Sequence, residues 1–350
     1  MRYPVTKSLI VILAVAAVVL SPSFVIATVE TVEEQEIKYK LAPKPYVKED
    51  KQIVCSVDKL VANSTAGVIQ GVDSNPLLDP TKKADNYTEE MVDMHFKYPL
   101  FDSFLGYTNA KFGFNLTNIN YYRVTDVNIF DGIADLKLEQ EILDKVLLNF
   151  GYSPEMLIFP NSEDGNFVGN EFNVSLRQEI TRDLYQKASY RFILRNYTHR
   201  KIRMGNLTFG SRLREDARNI FEHELGIYIF NTSKLRFTNQ FYINESNDQY
   251  MDFYDYLNYR VGLSATHFFT KKLYTITGVY YQRRNYESRI CSDKEARQQD
   301  NLYLASTSFM YDFTKSLSVF ISYSHTENHT NEPLEKYSNN LYSTGLYYSF

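Results

Sequence analysis

The six histidines (His95, His199, His223, His267, His325 and His329) are the residues from which a metal or acid–base site would have to be built. Their spacing builds none. His325 and His329 stand four apart, which places two imidazoles on one helix face, but the surrounding segment is polar and carries no helical periodicity. Ser324 beside His325 pairs a hydroxyl with a base. Successive residues of a strand point to opposite faces, so the two cannot readily share a hydrogen bond. The chain has neither a Gly-x-Ser-x-Gly turn nor a glycine-rich phosphate loop. The expectation is therefore no enzyme, no metal and no cofactor.

A different chemistry lies in the long charged side chains. Lys111, Lys137, Glu139, Arg177, Lys187, Arg191, Glu222, Glu224, Lys234, Arg236 and Arg260 all fall inside segments whose other parity is apolar. "KLRFTNQFYI" sets Leu235, Phe237, Phe241 and Ile243 against Lys234, Arg236, Thr238 and Gln240. "YLNYRVGLSA" sets Leu257, Tyr259, Val261 and Leu263 against Asn258, Arg260, Gly262 and Ser264. "SLSVFISYSH" and "NVSLRQEI" repeat the pattern at Leu317–Tyr323 and Val174–Ile180. A period of two marks strands with two differently solvated faces.

Turn signals divide this alternation into about 14 strands. Short connections are predicted near Pro99–Ser103, Leu143–Asp144, Arg182–Asp183, Asn231–Ser233, Thr270–Lys271 and Thr314–Lys315. Longer polar ones are predicted near Asn75–Asp85, Thr117–Asp131, Ser153–Asn170, Asn196–Asp216, Glu245–Asp252, Glu287–Gln299 and Glu327–Lys336. An even number of antiparallel strands, joined briefly at one end and at length at the other, is the layout of a transmembrane β-barrel with apolar-out, polar-in strands. The fold expected is all-β: an antiparallel up-and-down barrel with short periplasmic turns and long extracellular loops, over residues 64–350. A secreted soluble β-sandwich or solenoid is the competing architecture. So many charges in strand middles suit a wet lumen better than one face of a sandwich, and a closed barrel leaves no unpaired edge.

The composition agrees. Tyr (29) and Phe (24) are abundant while Trp is absent, which suits strands whose surfaces meet both water and an apolar phase. A net charge of −4 argues against a dedicated nucleic-acid partner. Nine Asn-x-Ser/Thr triplets arise by chance in a chain rich in these residues. At the start, Arg2 and Lys7 precede the apolar run Leu9–Leu20, with Val25-Ile26-Ala27 as a small-residue cleavage site. That order predicts a secretory signal peptide at 1–27, followed by a charged, flexible extension at 28–63.

Asp73-Ser74-Asn75, "YYQRRNY" at Tyr280–Tyr286 and the "KYSNN…GLYYSF" ending together resemble bacterial outer-membrane barrels of one broad group. It is typified by the barrel region of surface lipoprotein assembly modifiers, and porin-like barrels linked to exopolysaccharide export look similar. The resemblance covers residues 64–350. It implies a Gram-negative outer membrane, contact with its lipid and lipopolysaccharide, and insertion by the barrel-assembly machinery. That machinery reads a terminal aromatic with apolar residues at alternate positions behind it, a pattern met by Tyr342, Leu346, Tyr348 and Phe350. The assembly modifiers carry a helical-repeat domain before the barrel, for which this chain has no room.

Two functions stay open: a porin-like channel for small solutes or polysaccharide, and a non-conducting barrel whose outer loops, Asn196–Asp216 above all, bind partners. If it conducts, Lys111, Arg177, Arg191, Lys234, Arg236 and Arg260 are the candidate lining. The same charges could instead pair off and stiffen a filled lumen. Cys55 and Cys291 fall near opposite ends, as two separate thiols or as a tether holding the extension in the lumen.

Overall fold

The computed structural model describes residues 60–350, apart from 81–82, 104–105, 144, 206–207, 231, 251 and 294 and the side chains of 101–103. Cleavage after Ala27, the extension up to residue 59 and Cys55 lie outside the described residues.

The chain closes into one antiparallel barrel of 14 strands. In order they are β1 (Val61–Asp73), β2 (Asp85–Ser103), β3 (Gly106–Tyr121), β4 (Ile129–Leu143), β5 (Val146–Ile158), β6 (Phe167–Glu179), β7 (Leu184–Arg203), β8 (Phe209–Ile229), β9 (Ser233–Ser246), β10 (Tyr256–Phe268), β11 (Leu273–Ile290), β12 (Arg297–Asp312), β13 (Leu317–Thr330) and β14 (Tyr337–Ser349). Each strand pairs with its sequence neighbours, and β14 returns to β1 in the register Ala66↔Tyr348 through Val72↔Tyr342. The last residue completes the seam. Phe350 N–H donates to the Ser64 carbonyl at 2.9 Å, and Ser64 N–H donates to the Phe350 carbonyl at 3.2 Å. No backbone edge remains to be desolvated in hydrocarbon.

Short and long connections alternate as expected, but their boundaries move. β7 and β8 run 20 and 21 residues, about twice what a bilayer crossing needs. The expected loop Asn196–Asp216 is thus mostly a paired hairpin, turning only between Arg203 and Phe209. Glu287–Gln299, Thr117–Asp131 and Ser153–Asn170 shrink likewise to the segments between Ile290 and Arg297, Tyr121 and Ile129, and Ile158 and Phe167. Beyond the hydrocarbon neither face of a strand meets lipid, so apolar alternation fades while backbone pairing continues. The turn expected at Pro99–Ser103 is still strand. Pro99 sits at a register shift between Pro99 and Phe101, where a residue without an N–H is tolerated. The barrel also begins at Val61 rather than at residue 64.

Glycines are needed where the seam is tight. A β-carbon on Gly345 would lie 2.6 Å from the Phe320 ring and 2.8 Å from the Val68 carbonyl oxygen. Hydrogen there leaves room for the stacked Phe320–Tyr347 pair, whose ring centroids are 5.0 Å apart.

Candidate functional site

The two faces of the wall differ sharply. Val68, Phe112, Leu136, Phe150, Phe172, Phe237, Leu263, Val279, Phe309, Ile321 and Leu346, drawn from eleven different strands, all point outward and are exposed. At the short-turn end Phe230, Phe269, Phe313, Tyr311, Tyr348 and Phe350 form an exposed aromatic rim. The inner face instead holds Asp73, Asn244, Asn258, Arg284, Asp300 and Asn328, all buried. A soluble sandwich would bury the first set and wet the second. An apolar belt with an aromatic rim, wrapped around a polar interior, fits hydrocarbon outside and a polar lumen inside. The chain is an outer-membrane β-barrel.

No protein-family model matches it, and no curated protein matches its sequence. Among solved structures it is similar to outer-membrane-expressed OmpT of Vibrio cholerae, at 11% identity over 83% of this chain and 97% of that one, TM-score 0.49. It is also similar to an anion-selective porin from Comamonas acidovorans, at 7% identity over 83% and 99% of the two chains, TM-score 0.46. A bacterial polysaccharide outer membrane secretin matches at 10% identity over 83% and 98%, TM-score 0.46.

Every charged residue assigned to the interior by alternation lies on the lumen-facing parity of its strand. The six candidate lining residues are all engaged. Lys111 Nζ donates to Glu139 Oε2 at 2.5 Å, and Lys97 reaches the other oxygen at 3.5 Å. Arg177 lies over the Tyr185 ring at 4.4 Å and 3.6 Å from Glu179. Arg191 bridges Glu171 at 3.3 Å and Glu222 at 3.9 Å. Lys234 sits over the Tyr185 and Tyr228 rings at 5.3 and 5.4 Å. Arg236 donates to Ser264 Oγ at 3.2 Å and lies 3.8 Å from Glu224, while Arg260 donates to the Gln282 amide oxygen at 2.6 Å. Most of these side chains are only half-buried: Arg236 is 44% exposed, Lys111 36% and Arg191 32%. The inner wall formed by β3 to β9 thus leaves these charged heads partly uncovered.

The outer half of β7 to β12 is built differently. Arg284 and Asp300 form an ion pair at 3.2 Å with both side chains 0% exposed. Arg284 also donates to the Tyr286 hydroxyl at 2.6 Å and lies over the Tyr256 and Tyr286 rings. Arg214 pairs with Asp216, both side chains 1% exposed, beneath the Tyr254 ring at 3.4 Å. Arg289 pairs with Glu335 of the β13–β14 connection, whose carboxyl is raised by burial despite that partner. Tyr242, Tyr256 and Tyr286 pack with Ile193 and Ile220 beside them. This layer of arginine, tyrosine and carboxylate is dry, in contrast to the lower wall.

The candidate lining includes none of these outer arginines: Arg214 and Arg289 fall in segments predicted as loop, and Arg284 stands just before one. A signal did exist: Arg214, Asp216 and Arg218 alternate at a period of two, as do Arg284 and Tyr286. Tyr342, Leu346, Tyr348 and Phe350 all lie on the outward face of β14, with Ser343, Gly345 and Ser349 inward. Ser324 and His325 point to opposite faces. His325 shares a 2.9 Å hydrogen bond with Asn340, and His329 lies 2.9 Å from Glu327, both on the outer side. Among the described residues no His, Cys, Asp and Glu cluster could hold a metal ion. Cys291 is buried at the outer end of β11.

Proposed function

We propose that the barrel is a channel for small hydrophilic solutes across the outer membrane, a transport protein and not an enzyme. The observation that carries this reading is the half-exposed charged wall of β3 to β9, where Lys111, Arg191 and Arg236 meet water although they point inward. In a filled interior these heads would be as dry as Arg284 and Asp300. Cations and carboxylates alternate along the wall, so it is hydrated without a single sign of charge, and small polar solutes suit it better than one class of ion. The dry arginine–tyrosine layer narrows the passage toward the outer mouth, which favours small solutes over a polysaccharide strand. That same layer supports the second reading, a barrel that does not conduct and acts through its outer hairpins.

Planar-bilayer recording of refolded full-length protein separates the two. Steady unitary conductance supports the channel; an intact, heat-modifiable barrel that stays silent at all voltages and pH values rejects it. We further infer that Tyr342, Leu346, Tyr348 and Phe350 form the signal read by the barrel-assembly machinery, since all four present side chains on one outward row at the seam. Lipopolysaccharide would meet the outer part of the same face.

A further inference from the structure

The connection between β9 and β10 does not stand away from the barrel. Tyr254 is buried, and its carbonyl accepts a 2.9 Å bond from the Asn244 amide on the inner face of β9. The Arg214 guanidinium of β8 lies 3.4 Å from the Tyr254 ring centroid and that of Arg200, on β7, 5.1 Å. Phe253 lies between Arg203 of β7 at 4.0 Å and Arg289 of β11 at 4.1 Å. A side chain that touches the outer ends of both β7 and β11, while its own segment joins β9 to β10, leans over the lumen as a chord. Backbone bonds hold the segment down: Gln249 N–H donates to the Arg203 carbonyl and Glu287 N–H to the Asp255 carbonyl.

Beneath this chord the inner rows hold polar groups that an open lumen would hydrate. Asn258 is 0% exposed and Gln282 2%. Among the described residues neither amide atom of Asn258 has a hydrogen-bond partner, nor does the Gln282 Nε2. Both residues lie on lumen-facing parity, Asn258 opposite Tyr242 and Arg284. Burying such groups dry is unfavourable, and exposing them to water relieves that cost. The dry layer is thus biased toward opening, and the aromatic contacts of the connection oppose the bias.

We propose that the β9–β10 connection is a lid over the outer mouth, latched by Phe253 and Tyr254 against the guanidiniums of Arg200, Arg203, Arg214 and Arg289, and that this structure is its shut form. Guanidinium–aromatic stacking suits a latch: it is favourable when dry, and opening returns both partners to water without leaving a buried charge unpaired. The lid regulates the channel proposed above, yet its latch can be read without conduction.

The test uses full-length protein with Cys55→Ser and Cys291→Ser, carrying Asn258→Cys as a reporter under the lid. Labelling of that thiol by a small water-soluble methanethiosulfonate is expected to be slow with the native latch. It should be at least tenfold faster with Phe253→Ala or Tyr254→Ala, with heat-modifiable gel mobility certifying an intact barrel. In parallel bilayer recordings of the chain without the reporter, the same latch variants should raise the time spent open at least fivefold. Equal labelling rates with and without the latch residues overturn the lid, whatever the recordings show. Faster labelling from a barrel that never conducts keeps the lid and overturns the channel. Rapid labelling already in the native-latch protein overturns the assignment of this structure as the shut form.

Discussion

Removing one carboxylate measures whether the outer lumen is dry. Asp300 accepts from Arg284 Nη1 at 3.2 Å and from the Gln298 amide at 3.0 Å, with both members of the ion pair fully buried. If water reached this pair, losing it would cost no more than about 1 kcal/mol, as for exposed ion pairs. In a dry setting Asp300→Ala takes away the carboxylate paired with Arg284 and costs about 3–5 kcal/mol. The Tyr286 hydroxyl at 2.6 Å is a neutral partner, and the Glu335 carboxylate acts on the guanidinium from farther off. The double substitution Arg284→Met with Asp300→Leu removes the charge together with its partner and should return stability to within about 1 kcal/mol of the parent. Guanidinium unfolding of the barrel in lipid vesicles, followed by tyrosine fluorescence and gel mobility, gives all three values. A loss below about 1 kcal/mol for Asp300→Ala, or a double variant no better than the single one, would refute the dry layer.

Three further outcomes follow from other parts of the wall. Deleting Phe350 removes both backbone bonds to Ser64 and the last aromatic of the outward row; export to the periplasm should persist while the outer-membrane fraction falls several-fold, and unchanged insertion would count against its signalling role. Gly345→Ala drives a methyl into the Phe320 ring and the Val68 carbonyl and should lower stability by about 1–3 kcal/mol. Gly132→Ala, whose nearest neighbour is Leu116 at 3.3 Å, should be tolerated, and equal unfolding midpoints for the two would overturn the packing argument. In the lid, burial pushes Asp255 up to about 7; Asp252, Asp216 and Glu245 add to the rise and the Ser246 N–H opposes it. Arg203, Arg214 and Arg289 line the neighbouring side of the lid. A carboxyl whose native pKa is raised binds more protons folded than unfolded, so its contribution is lost as pH climbs from about 4 through about 7. Unfolding midpoints should fall over that window, and less so in Asp255→Asn; an identical pH profile for the variant would dismiss the site.

Much of this was legible because the bilayer imposes a period. Where one face meets hydrocarbon and the other a lumen, as along Leu235–Ile243 or Leu317–Tyr323, the alternation is clean, and it assigned Lys111, Arg177, Arg191, Lys234, Arg236 and Arg260 to the interior. Beyond the bilayer the constraint vanishes. Lys201 and Leu213 still pair across β7 and β8, but nothing in their polarity says so, and the strand ends there read as loop. The lid was hidden for a related reason: Phe253 and Tyr254 sit in a short polar segment, and their meaning comes from arginines on three other strands. Alternation also says which way Arg236 and Arg284 point but not whether water follows, since hydration depends on what crosses the lumen.

That last distinction has a physical origin in how the register is held. A slip of one residue exchanges the two faces of every strand, so a barrel must keep its inner and outer rows chemically distinct along the whole crossing. Leucine and phenylalanine would fill the outer lumen most simply, yet they would make both faces of β9 to β12 read as lipid-facing. Tyrosine, asparagine, glutamine and arginine occupy similar volume and still mark the inner side. Their polar atoms are then trapped in a dry layer and must find one another, which is what the Arg284–Asp300 pair, the Arg284–Tyr286 bond and the arginine–tyrosine stacks do. Among the described residues the Asn258 amide and the Gln282 Nε2 are left over from that matching. A lumen sealed under this constraint holds unsatisfied polar groups that water would satisfy, and so it is closed by a weaker margin than a hydrocarbon plug of the same volume would be.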